Sequence, residues 1–143
     1  MEYKRILCPV DFSDISTRVL QISADLAKRF GADLHVIHVF QLPATMLEAV
    51  YEDPTDMEEE IRQRLNDKLN EFVQKTKKPD VKITTGVYEG VPDVEIITSA
   101  RENQADMIVM GTRGKTGLSH VLLGSVAERV IRNAEVPVMT VRK

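Results

Sequence analysis

Two rhythms of apolar residues alternate along the chain. Short, nearly unbroken apolar runs fall at Lys4–Val10, Leu34–Phe40, Met107–Met110 and Val136–Val141, with a weaker alternating run at Val81–Val87. Runs of this length, rich in β-branched residues such as Val36, Ile37 and Val39, predict strands. Met107–Met110 reads as buried on both faces, Lys4–Val10 as a central strand, and Val81–Val87 as an edge strand.

Between the runs the period lengthens to that of a helix. Ile15, Val19, Ile22, Leu26 and Phe30 share one face, with Ser13 or Asp14 as the expected cap and Gly31 as the stop. Met57, Ile61, Leu65, Leu69, Phe72 and Thr76 share another, predicting a helix from Thr55 to about Lys77. Glu58, Glu59 and Glu60 stand near its start, and Lys75, Lys77 and Lys78 at its end. Each sign complements the helix dipole, so this charge run reads as a solvated face. Pro92 opens a third helix, reaching about Asn103 and burying Val94, Ile97 and Ala100. A last helix begins at Gly124-Ser125, ends near Asn133 and turns Val126, Val130 and Ile131 inward. Gln41–Asp56 has no period and two prolines, which predicts a stretch long enough to be a lid or a mobile loop, with no role assigned to it.

Strands alternating with helices build a parallel sheet covered on both faces through right-handed crossovers, an α/β doubly wound fold of five strands. The 143 residues suit one domain spanning 1–143. With 43% hydrophobic and 29% charged residues, and no apolar run near the roughly 20 residues of a membrane span, a soluble chain without membrane contact is expected. The first apolar run is too short for a signal peptide, and Cys8 has no second cysteine to pair with. Both point to the cytoplasm. Cys8, inside a central strand, reads as a small buried hydrophobe. A net charge of −3 argues against nucleic acid as a partner.

Charge changes locally where the chemistry concentrates. After Met110 the chain carries Gly111, Gly114, Gly117 and Gly124, and from Gly111 to Ser125 its charged residues are Arg113 and Lys115. A strand, a glycine loop and a helix N-terminus form an anion site, because glycine lets backbone N–H groups approach and the dipole favours negative charge. Two familiar phosphate motifs fail here. A P-loop ending in Gly114-Lys115-Thr116 needs glycine where Val109 stands, and no glycine stands two residues after Gly111, as G-x-G-x-x-G requires. His35 and His38, three apart on a strand, point to opposite faces and share no metal, while His120 shows no partner.

The remaining spacing, Gly111-x2-Gly114-x9-Gly124-Ser125, resembles the nucleotide signature of the universal stress protein family, in its ATP-binding branch. So do Pro9-Val10-Asp11 after the first strand and Val136–Val141 at the end. The resemblance implies a Rossmann-like sheet of order 3-2-1-4-5, in which strands one and four meet at a topological switch point. It also implies ATP as ligand, with or without Mg2+, or ADP or AMP in its place. Pro9, Val10, Asp11 and Val39 would line the base and sugar, and Met110 and Val126 would border the pocket. Gly111, Gly114, Gly124 and Ser125 would hold phosphates, with Arg113 or Lys115 as counter-charge. A homodimer along the last strand, Val136 to Val141, is implied too. With no acidic residue in the glycine loop, turnover of ATP should be slow at most, so a nucleotide-dependent sensor or signalling module in stress response is expected. Thr112, Thr116 and Ser119 are weaker candidates for modification or Mg2+.

Two rivals compete with this reading. An interaction module of the same fold would leave the crevice empty. A phosphoacceptor domain would need an acidic pair after strand one, an aspartate ending strand three and a lysine at strand five. Asp11 and Asp14 mimic the pair, but strand three ends at Tyr88-Glu89 and the lysine offered is Lys143.

Overall fold

The computed structural model describes residues 1–49, 54–76, 78, 80–113 and 123–143. In chain order the elements are β1 (Arg5–Pro9), α1 (Ser16–Phe30), β2 (Asp33–Phe40), α2 (Ala44–Ala49), α3 (Pro54–Lys75), β3 (Ile83–Glu89), α4 (Pro92–Glu102), β4 (Met107–Gly111), α5 (Ser125–Asn133) and β5 (Val138–Val141). The strands form one parallel sheet in the order β3-β2-β1-β4-β5.

Alternation along the central strands divides the core. Ile6 and Cys8 of β1, Val36 of β2 and Val109 of β4 face one layer, where they meet Val19, Leu20 and Ala24 of α1 and Leu69 and Val73 of α3. Leu7, Ile37 and Ile108 face the other, against Ile96 and Ala100 of α4 and Ala127 and Val130 of α5. Leu7 and Ile108 are fully buried, as a strand covered on both sides demands. The start of β1 is fixed by Asp106, whose carboxylate accepts the backbone N–H groups of Lys4 at 2.7 Å and Arg5 at 2.9 Å. Gly31 ends α1 in the left-handed region at φ 64°, as its glycine predicts.

Several local expectations are corrected. Within Gln41–Asp56, read as a loop, the chain forms α2, a helix of six residues, too short to register as a period. Neither Ser13 nor Asp14 caps α1; the cap position falls at Ile15, with no side-chain bond. Phe30 of α1, Val94 of α4 and Ile131 of α5 are exposed, at 45%, 52% and 44%. In each helix small residues join the larger ones in the buried stripe and let the backbone approach the sheet. Ala24 and Ala27 do this in α1, Ser99 and Ala100 in α4, and Ala127 in α5. Lys77 and Gln41–Asp56's residues 50–53 lie outside the described residues.

Candidate functional site

Strand order places the loops after β1 and β4 side by side, because the chain leaves these neighbouring strands toward opposite faces of the sheet. A cavity of about 340 Å³ opens there. It is lined by Pro9, Val10, Asp11 and Ile15 after β1, Val39 of β2, Pro92 and Ile96 of α4, Met110 to Arg113 after β4, and Gly124 to Ala127 at the start of α5. Every residue singled out for the site from sequence therefore borders one cavity, apart from Gly114, which lies outside the described residues together with Lys115, Thr116, Ser119 and His120.

Sequence reasoning missed Ile15, Pro92, Ile96, Thr112 and Ala127 as lining residues. Thr112, a candidate from sequence only for modification or Mg2+, is 4% exposed and acts through its backbone. Its N–H donates to the Val141 carbonyl at 3.0 Å, and its carbonyl accepts the Gly124 N–H at 2.5 Å. The two described ends of the glycine segment are thereby drawn together. Pro92 and Ile96 gave no signal because they approach only through the crossover of α4.

The cavity is chemically two-ended. Val10, Val39, Ile96, Met110 and Val126 supply an apolar slot, while at the other side α5 begins at Gly124 with no side-chain cap. The first N–H groups of α5 are thus directed at the cavity's edge, with the positive end of the dipole behind them. Gly111 allows close packing beneath this wall, since a Cβ there would meet Ile15 Cγ2 at 3.1 Å. Asp11 is the carboxylate among the described lining residues. Its Oδ1 accepts the Ser13 N–H at 3.0 Å and the Ser16 hydroxyl at 3.1 Å.

Phe12, next in the chain, holds φ 62°, a conformation costing a bulky residue about 1–3 kcal/mol. His35 and His38 do face opposite layers. His35 Nδ1 bonds Thr84 Oγ1 at 2.8 Å, while His38 donates from Nδ1 to the Val10 carbonyl at 2.8 Å. Among the described residues no three His, Cys, Asp or Glu side chains gather as a metal cluster. Cys8 is buried, and burial pushes its thiol up to about 12. The phosphoacceptor arrangement is not assembled, because β3 ends at Glu89 and is an edge strand separated from β1 by β2, although Lys143 Nζ does pair with Asp14 at 2.6 Å.

The family model described as the universal stress protein family matches residues 2–142. The chain belongs to the universal stress protein family. It is 43% identical to universal stress protein MJ0531 of Methanocaldococcus jannaschii over 146 residues, covering 99% of this chain and 83% of that protein. The solved structure of MJ0577, from the same organism, superposes with a TM-score of 0.82 at 28% identity, covering 100% of this chain and 98% of the other. A universal stress protein from Archaeoglobus fulgidus, solved in complex with dAMP, superposes with a TM-score of 0.66 at 26% identity over 98% of each chain. No helix among the described residues is long and apolar enough to cross a membrane.

Proposed function

We propose that the cavity between the loops after β1 and β4 binds an adenine nucleotide, and that the protein works as a nucleotide-dependent sensor or signalling module. The observation that carries this reading is the pairing, in one cavity, of an apolar slot with the uncapped N-terminus of α5. A volume of about 340 Å³ lies in the range of small-molecule sites. The dAMP complex of the Archaeoglobus relative supports an adenine ligand for this chain.

In this reading Pro9, Val10 and Val39 line the base and sugar, with the Asp11 carboxylate accepting their hydrogen bonds, and Met110 and Val126 close the slot. Gly111, Gly114, Gly124 and Ser125 hold phosphate through backbone N–H groups, and Arg113 contributes positive charge. The ligand is ATP, with or without Mg2+, or ADP or AMP. Slow turnover at most is expected, since Asp11 already serves the nucleoside end and its oxygen is engaged by Ser13 and Ser16. A cytoplasmic setting and a stress-response role accompany the reading. So does a homodimer along β5, whose outer edge has no strand partner among the described residues and carries Met139 at 39% exposure.

Calorimetric titration of nucleotide-free protein with ATP and with AMP tests the central claim, beside a Ser125→Glu variant. A carboxylate in the first turn favours the helix but repels phosphate. Saturable binding that weakens at least tenfold in the variant, at unchanged melting temperature, is the expected outcome; a folded chain that binds neither nucleotide refutes the reading. Light scattering at micromolar concentration decides the dimer, a monomer mass excluding it.

A further inference from the structure

Asp11 and Phe12 are consecutive, yet they serve opposite layers of the molecule. Asp11 borders the cavity, whereas Phe12 packs with the core between the sheet and helices α1 and α3. The phenyl ring lies 4.6 Å from the His38 ring and meets Phe72 of α3 edge-on at 5.7 Å. The Lys68 ammonium, also on α3, stands 4.4 Å from its centroid. Both flanks of the dipeptide are fixed. On one side Val10 is held by β2, donating to the Ile37 carbonyl at 2.8 Å and accepting from His38 Nδ1 at 2.8 Å. On the other, the Ser16 N–H binds the Ser13 carbonyl at 3.0 Å at the start of α1. Between these anchors Phe12 holds φ 62°, where a phenylalanine occupies a narrow and disfavoured well.

We propose that Phe12 couples the cavity to helix α3. A ligand that draws on the Asp11 carboxylate turns the anchored Asp11–Phe12 unit. The phenyl ring then moves against Phe72 and beneath Lys68. Coupling of this kind requires the bound and unbound arrangements of the unit to differ in contacts on both sides, and the dipeptide has contacts on both. Lys68 is exposed, so the state of the cavity reaches the outer surface of α3. In naming a nucleotide as the trigger, the coupling rests on the function proposed above; the mechanical link between Asp11 and α3 does not.

The test follows two signals by nuclear magnetic resonance, the Lys68 ε-methylene and the Phe72 backbone amide. Asp11→Asn, introduced in the ligand-free chain, is expected to shift both, and the shifts are expected to vanish when Phe12→Gly is added. Glycine keeps the positive φ without strain while removing the ring. Lys68→Gln, a surface change, serves as a second background in which the Phe72 amide should still respond. Unmoved signals in Asp11→Asn, or equal shifts without the phenyl ring, overturn the proposal. AMP and ATP are then titrated, with binding followed by calorimetry. Movement of both signals in the natural chain and silence in Phe12→Gly supports the coupling. Binding that leaves Lys68 and Phe72 unmoved refutes it and spares the nucleotide reading. Failure to bind, with the Asp11→Asn shifts intact, refutes the nucleotide reading and spares the coupling.

Discussion

The Ser16 hydroxyl donates to Oδ1 of Asp11 across 3.1 Å, so the first residue of α1 holds the carboxylate that borders the cavity. Ser16 is 2% exposed. Ser16→Ala should lower stability in urea by about 1 kcal/mol and weaken nucleotide binding, because the carboxylate loses its buried donor. Ser13 gives Asp11 its main-chain N–H, and its hydroxyl reaches the Ser16 hydroxyl only at 3.4 Å, so Ser13→Ala should have the smaller effect on both.

Two glycines with positive φ should respond unequally to alanine. At Gly31, φ 64°, an added Cβ meets nothing within 4 Å, and the cost is conformational, about 1–2 kcal/mol. At Gly90, φ 150°, it would lie 2.6 Å from Glu95 Cγ, in a region that side chains scarcely adopt. Urea midpoints should therefore fall further for Gly90→Ala. Because Gly90 leads into α4, which supplies Pro92 and Ile96 to the cavity, only that variant should also lose nucleotide affinity.

Cys8 should be inert in the folded protein and reactive in the unfolded one. With burial pushing its thiol up to about 12, the folded state keeps the proton at pH values where the unfolded chain has released it. Stability should thus decline with alkaline pH through this window, at up to about 1.4 kcal/mol per pH unit from this group. Alkylation at pH 8 should be negligible until denaturant is added. Cys8→Val should flatten the alkaline limb, and an unchanged limb would refute the assignment.

His35 acts at the opposite end of the scale. Burial holds its imidazole below the usual range, against a weaker opposing contribution from its bond to Thr84. The unfolded chain therefore takes up the proton first as pH falls. The contribution is complete above the ordinary imidazole value of about 6.5 and is lost below it. His35→Gln, which can still bond Thr84, should shallow the acid side of a stability profile.

Where side-chain period and glycine punctuation determine structure, the chain could be read directly. Gly31 closes α1, Pro92 opens α4, and the run Met107–Met110 is the buried strand β4, because each follows from local sterics or local burial. Residues whose roles depend on distant segments could not be read this way. His38 reaches the Val10 carbonyl 28 positions away, and Ile96 borders the cavity only after α4 crosses the sheet. Phe12 offered no local signal for its positive φ, which glycine ordinarily supplies. Ile131 and Val94 misled because apolar spacing defines a stripe without fixing which edge of it meets the sheet.

The place of β1 in the sheet bears on how the molecule is made. It precedes the other four strands in the chain and sits between β2 and β4, and its leading amides find the Asp106 carboxylate only 102 residues later. Throughout that interval the nascent chain carries an apolar strand with one edge unpaired, the kind of surface that misassembles or recruits chaperones. Emergence of β4, after the β1–β2–β3 half, is what gives β1 its second strand partner.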